Sequence, residues 1–510
     1  MSNQHAPNRT TSRKCGISLS LSSICLLTGA ATIAWTQVAQ AIPISPVVKR
    51  SEVVKSGAGQ LKLHRTDRLK VRGHLQAGTN AIGEKNLFWD LARRAAGNDT
   101  FDADSGWLES FVEPGVSFRY ELDSGSSWFG KVSAVASNTS GTDAFDAGDE
   151  GRITLEEAYI GYKAQLAGDT TLQGSIGPRP LKLGTGMLIF NGGADGFERG
   201  TLKFGPRDAW EMNAMTRLDH GPFQAIAFYI DANELASSDS SNRMAGLDLR
   251  WDGERKTYAG LTYINVVESE APYPQAALGG FGPPNIIAGG REGLQSVNFY
   301  GRSRPFEGTL DTLAIWLDAA YQWNDSPDMQ AWGGRIVGEY TFNDAPWKPS
   351  LAYHYQAFSG DDPKTSKLER FDPLYYNGSP SGWATGSKSA MVFINSNVQS
   401  HNLTLRVNPS PKDIVTLRYA HVRAHELLSP VQFGQATRLQ FSDGISTVAS
   451  GVVDAHLSDD FFIEYTHIVT PNLFLTGGFS ISIPGAGIKE AAGGSAPNWT
   501  GAFFNAVLNY

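Results

Sequence analysis

The chain has 510 residues, a formal net charge of −8, 11% aromatic residues and 55 glycines. The acidic balance disfavours non-specific nucleic-acid binding, so no nucleic-acid partner is expected. Abundant aromatics and glycines suit many strands joined by turns.

At the N-terminus, Arg9, Arg13 and Lys14 precede the apolar run GISLSLSSICLLTGAATIAW, which leads to AQA at Ala39 to Ala41. Basic residues, a short apolar stretch and an A-x-A site read as a secretory signal peptide over 1–41. Its removal takes away three basic groups and no acidic ones, so −8 becomes −11. Cys15 and Cys25 leave with it, and the mature chain then has no disulfide or thiolate metal site. No later stretch holds 18 uninterrupted apolar residues, so no transmembrane helix is indicated. Residues 42–70 read as a short periplasmic segment, too small for an energy-coupling plug domain.

From about residue 114 to the end, apolar and polar side chains alternate with period two, the mark of a half-buried strand, and the even strand count of membrane β-barrels asks for one more strand before residue 100. In VRGHLQAGTNA (71–81), Val71, Leu75 and Ala77 oppose Arg72, His74 and Gln76. Further strands are expected at 114–122, 127–137, 152–164, 170–177, 201–217, 222–231, 243–251, 256–265 and 292–300. The series continues at 310–322, 332–342, 347–358, 398–408, 413–423, 452–469, 472–482 and 500–510, which makes eighteen. Tight turns such as 123–127, 165–169, 219–222, 252–256, 343–346 and 409–413 alternate with long connectors. The long ones lie near 138–151, 232–242, 266–291, 359–397, 424–451 and 483–499. Long loops on one side of every second strand are the pattern of a transmembrane antiparallel β-barrel, with short periplasmic turns and long extracellular loops.

Residues 71–510 are therefore expected to form an outer-membrane β-barrel of a Gram-negative-type bacterium, with the lipid bilayer as its solvent. Closure pairs every backbone N–H and C=O and leaves no edge. Trp128, Tyr159, Tyr162, Trp251, Trp316, Tyr321, Trp323 and Trp347 would form interfacial girdles. The terminal AFFNAVLNY would be the closing strand, with Tyr510, Leu508, Ala506, Phe504 and Ala502 towards lipid. Its final aromatic, Tyr510, would address the outer-membrane assembly machinery.

No Gly-x-Ser-x-Gly elbow, His-Glu-x-x-His or phosphate loop is present, so neither an enzyme nor a cofactor or metal centre is expected. His354 and His421 read as wall residues on strands. What remains is electrostatic. Arg119, Arg217, Arg250, Arg335, Arg406 and Arg418 fall on the more polar face of their strands. A charge on the lipid face costs about 2–4 kcal/mol near the midplane, so these arginines should line the pore. Glu121, Glu211, Asp248 and Glu339 lie close enough in sequence to pair with them. Acids such as Asp143, Asp146, Asp149 and Glu150 fall in outer loops.

Two stretches, LEEAYIGYKAQLAGDTTLQGSIGPRPLKLGTG (155–186) and LAYHYQAFSGDDPKTSKLERFDPLYYNG (351–378), resemble the alginate export family of outer-membrane β-barrels. In the first, Gly177-Pro178-Arg179-Pro180-Leu181 stands where that family tends to carry Gly-Arg-Gln-x-Leu, so the resemblance adds Arg179 to the pore-lining candidates. In the second, Ser359-Gly360-Asp361-Asp362 and Phe371-Asp372-Pro373-Leu374 match directly. The resemblance implies an 18-stranded channel for export or diffusion of an anionic polysaccharide or a related acidic, polyhydroxylated solute. An uptake porin for small organic acids is the alternative, and an outer-membrane enzyme or adhesin barrel a more distant one. Asp361 and Asp362 could offer Ca²⁺ hard oxygen ligands or form a solvated turn. The long segments 266–291 and 359–397 could fold inward as constrictions or outward as lids.

Overall fold

The computed structural model describes residues 61–510 apart from 96–98, 145–147, 191, 194–198, 203, 237–238, 281, 377–392, 433–440, 443–444, 447 and 450. Eighteen strands form one closed antiparallel barrel. The first nine are β1 (Leu69–Lys85), β2 (Ser105–Glu121), β3 (Ser127–Gly141), β4 (Gly151–Gln165), β5 (Thr170–Ile176), β6 (Met212–His220), β7 (Phe223–Asp231), β8 (Arg243–Asp252) and β9 (Tyr258–Glu268). The rest are β10 (Gln295–Ser303), β11 (Ala314–Asp325), β12 (Asp328–Thr341), β13 (Ser350–Phe358), β14 (Val398–Ser410), β15 (Asp413–Ala424), β16 (His456–Thr470), β17 (Leu473–Pro484) and β18 (Trp499–Asn509).

Each strand pairs with its sequence neighbours, and β1 closes the ring by pairing with β2 on one side and β18 on the other. Ala77 faces Leu508 and Asn80 faces Asn505 across that seam. Tyr510 extends it through two backbone hydrogen bonds with Leu75, at 2.8 and 3.0 Å. The last residue is therefore part of the ladder, and its ring and that of Phe504 stand exposed on the outer wall. A short strand, Leu61–Arg65, pairs with β1 beyond the end of β18. The sheet thus begins inside the 42–70 segment; the rest of that segment and the expected signal peptide lie outside the described residues.

The alternation read from the sequence sorts side chains between two solvents. On β8, Leu247 and Leu249 are 52% and 53% exposed on the outside, whereas Asp248 between them is 2% exposed. The same parity puts Leu317, Ile336, Leu351, Leu403, Leu417 and Ile463 outside. A wall with this outer face is stable only where hydrocarbon replaces water. Trp128, Tyr162, Trp251 and Tyr321 join that outer surface, as expected of girdles. Tyr159 and Trp316 instead have the lumenal parity of their strands. Trp316 sits between outward-facing Ile315 and Leu317, and a bulge re-aims Tyr159.

That bulge is at Glu156. Ser133 faces Glu157, but the next residue, Ala134, faces Leu155. One extra residue shifts the parity, as bulges do, so Glu156, Glu157 and Tyr159 all face inward. The expected strand at 201–217 is also shorter than the alternation suggested. It begins at Met212, and residues 201–210 belong to an inward loop. Two connections break the long–short rule. Residues 304–313 make a longer turn on the periplasmic side, and only Ser326 and Pro327 link β11 to β12 on the other.

Candidate transport pathway

The extracellular mouth is filled by its own loops, which fold inward. Residues 177–211 and 359–397 meet through Tyr375: its N–H donates to Leu188 O, and its C=O accepts from Phe190 N–H. Tyr375 also packs on Trp210, with ring centroids 5.1 Å apart, and its hydroxyl reaches Glu234 at 3.2 Å. The first loop is pinned to the wall by carboxylates that accept backbone amides. Glu109 takes Leu202 and Phe204 N–H at 3.0 Å each, and the bulged Glu156 takes Asp208 and Ala209 N–H at 2.8 and 3.1 Å. A third loop, 86–104, brings Trp89 against Phe393 and Trp499. The inward alternative for 359–397 is the one observed in its described part.

The family-like SGDD and FDPL residues knot this mouth together. Asp361 accepts backbone N–H groups from Ala276, Glu369 and Arg370 at 2.7–2.9 Å. Its oxygens are thus committed to amides, which fits a structural turn and not a Ca²⁺ loop. Burial holds the Asp361 carboxyl above its ordinary value. Asp372 forms a buried ion pair with Arg291 at 2.6 Å. Its backbone exchanges hydrogen bonds with the Gln322 amide on the wall, at 2.7 and 2.8 Å.

Deeper, the GTG turn at 184–186 lowers Thr185 onto the wall. Gly184 and Gly186 have φ of 52° and 82°, values that glycine adopts without the steric cost of a Cβ. At Gly184 a Cβ would lie 2.7 Å from the Tyr300 ring. Thr185 Oγ1 donates to Asp318 Oδ1 and accepts from Arg335, both at 2.7 Å. Lys182 nearby lies over the Phe190 ring, 5.0 Å from its centroid. Burial first, then the Arg335 charge, lowers the Lys182 pKa to about 8.

All seven candidate arginines occupy the lumen side, but in different company. Arg335 is buried against Asp318 on the neighbouring strand at 2.8 Å, not against Glu339. Arg217 pairs with Asp219 at 2.8 Å instead of Glu211. Arg250 pairs with Asp252 at 2.6 Å, while Asp248 accepts from Thr262 and Tyr300. In each case the side chain meets a nearer acid than the expected one. Arg406 and Arg418 lie on β14 and β15, Arg418 over the Phe462 ring at 5.4 Å. Arg119 is exposed on the lumenal face of β2, and none of the described residues pairs with it; Glu121 bonds Lys70 instead. Arg179 stacks over Tyr159 at 4.7 Å and donates to Ser175 Oγ at 2.7 Å, with no carboxylate partner among the described residues.

The sequence reading missed a second feature of this wall, guanidinium groups lying on aromatic faces. Arg250 over Tyr258 (4.2 Å) and Arg302 over Trp316 (4.9 Å) repeat the Arg179–Tyr159 arrangement. Strand parity held the clue for Trp316 and Arg302. Arg291 and Asp372 sit in loops, where no periodicity exists to mark them. Lys131 is held between Glu113 and Glu157, so it braces the wall. His354 faces inward and is buried, and His421 lies on the outer wall beside Asp459.

A closed 18-stranded antiparallel barrel with an apolar outer wall and a polar, arginine-bearing lumen defines an outer-membrane channel of porin-like architecture. Residues 290–499 match the family model described as alginate export. The match spans β10 to β17 and takes in the SGDD–FDPL knot; the 155–186 stretch lies outside it. No curated protein matches the chain at a significant level. Among solved structures the chain is similar to Pseudomonas aeruginosa OccK5 (OpdH), at 10% identity and a TM-score of 0.49, covering 86% of this chain and 98% of that one. The P. aeruginosa outer membrane protein OpdK aligns at 8% identity and 0.49, covering 86% and 98%. Acinetobacter baumannii OccAB3 aligns at 10% and 0.49, covering 86% and 99%.

Proposed function

We propose that this barrel is a passive channel for export or diffusion of an anionic polysaccharide, or a related acidic and polyhydroxylated solute, steered by lumenal arginines. The observation that carries the reading is Arg179, which has an aromatic face and a hydroxyl as partners and no acid among the described residues to neutralise it. Such a guanidinium keeps donors for a passing carboxylate, which it can hold in a bidentate fork. Arg119, near the periplasmic rim and with no partner among the described residues, extends the same attraction to the periplasmic end of the lumen. The half-buried rings of Tyr159 and Tyr258, beside Arg179 and Arg250, supply apolar platforms next to cations, a combination suited to sugar acids.

A channel is favoured over an outer-wall hydrolase. The Ser117–His74 pair, at 2.7 Å, has the lumenal parity of β1 and β2, whereas a lipid-directed nucleophile belongs on the outer wall. The interlocked mouth favours a second reading, passage of small organic acids. Planar-bilayer conductance separates the two. Uronate oligomers should block current more strongly than neutral oligosaccharides of equal length, with block deepening as the chain lengthens. Equal block by both would overturn arginine steering; block by monomeric acids alone would favour the second reading. The closing strand is read as the address for the assembly machinery, so deletion of 502–510 should abolish heat-modifiable barrels in the membrane.

A further inference from the structure

Away from the lumen, one side-chain cluster on the outer wall has the chemistry of a metal site. His421 lies on the outward face of β15, and Asp459 stands directly opposite it on β16. His456 opens β16, three positions before Asp459. In a regular strand that offset sends two side chains to opposite faces. A bulge removes the conflict: Val422 faces Ser458, yet the next residue, Arg423, faces His456, and Leu457 is left unmatched. Bulges re-aim side chains in this way, often at functional sites. As a result, Asp459 Oδ1 lies 2.9 Å from His421 Nδ1, and Oδ2 lies 2.9 Å from His456 Nε2. One ligand atom from each of the three residues falls within 4.8 Å of the others.

The second contact is informative. His456 Nε2 is buried beside the carboxylate at 2.9 Å, yet the pair lacks hydrogen-bond geometry and the nitrogen has no other hydrogen-bond partner. Two ligand atoms brought that close without a proton aligned between them are placed as they would be around a shared cation. A comparison lies at the other end of the same hairpin. There Asp413 accepts ordinary hydrogen bonds from Tyr465 and His467, both at 2.7 Å, and only one imidazole is present.

We propose that His421, His456 and Asp459 bind one divalent transition-metal ion of the zinc type. Two imidazole nitrogens and one carboxylate oxygen suit Zn²⁺, Cu²⁺ or Ni²⁺, whereas Ca²⁺ and Mg²⁺ select oxygen-only sets. Three protein ligands leave a fourth tetrahedral position for water or an anion. Tyr419 OH donates to Asp459 Oδ1 at 2.7 Å, which fixes the carboxylate's orientation, a role that partners of metal ligands commonly fill. His421 and His456 flank the 425–455 loop, whose Gln432 and Ser429 bind Arg370 and Asn397 in the mouth. The ion would therefore clip the base of a loop that helps fill the channel entrance.

The test uses the whole barrel, recovered from outer membranes, stripped with chelator and kept folded in detergent as judged by heat-modifiable mobility. Zn²⁺ titration calorimetry should give one site per chain, and Cu²⁺ electron paramagnetic resonance should show coupling to two imidazole nitrogens. His456→Ala and Asp459→Asn should each weaken Zn²⁺ at least tenfold. His401→Ala, which removes an outer-wall histidine bonded to Tyr353, should change nothing. Absence of Zn²⁺ binding, or binding that survives in a folded His421→Ala/His456→Ala double variant, would overturn the site.

Discussion

Arginine does two different jobs in this barrel, in its buried ion pairs and on its open lumenal surface. Arg291 and Arg335 are dry, with side chains 3% and 6% exposed against carboxylates that are fully buried. Arg119, Arg179, Arg217 and Arg250 stand in the open lumen, paired with solvent-accessible acids, with rings or with no residue described. A buried pair is costly to break because the survivor is left charged and desolvated, whereas an exposed pair contributes little to stability. Substitution in a buried pair should therefore disturb structure, and substitution on the open surface should disturb selectivity.

The largest effect is expected from the loop knot. Shortening 360–396 to a Gly-Ser linker should open the mouth and raise single-channel conductance severalfold; unchanged conductance would mean that the loop does not limit flow. Asp372→Ala should come next. It removes the carboxylate paired with buried Arg291, a penalty of about 3–5 kcal/mol for a broken buried pair, and should appear as noisy, enlarged conductance with the barrel still heat-modifiable. Arg217→Gln should leave stability and conductance nearly unchanged while lowering anion preference modestly. A mouth-like loss of loop order in that variant would erase the distinction between the two regions.

The smallest effect concerns pH. Lys182, with its pKa lowered to about 8, is charged below that value and neutral above it. Anion preference should therefore fall as pH rises from about 7 to 9 through the Lys182 pKa, and Lys182→Gln should weaken the response. An equal pH response in Lys182→Gln would assign it to another group.

The wall was legible because a membrane barrel obeys period two strictly. One misplaced charge on the lipid face is expensive, and so the parity of Arg119, Arg217, Arg250, Arg335, Arg406 and Arg418 could be read from their neighbours alone. Tyr159 escaped the parity argument because the extra residue at Glu156 reverses the count, and nothing local in LEEAY marks a bulge. The mouth was legible only as long connectors. Arg291 and Asp372 are 81 residues apart, and their pairing depends on where two aperiodic loops are pinned to the wall. The outer-wall cluster of His421, His456 and Asp459 has the same origin, since its ligands meet only across two strands and a second bulge.

The central claim is that unneutralised lumenal arginines guide anions, and reversal potential across a salt gradient measures it most directly. In planar bilayers with a KCl gradient, the native barrel should be anion-selective. The Arg119→Gln/Arg179→Gln variant should shift the reversal potential towards cations with little change in conductance. A native channel that prefers cations, or a double variant with an unshifted reversal potential, would contradict the account.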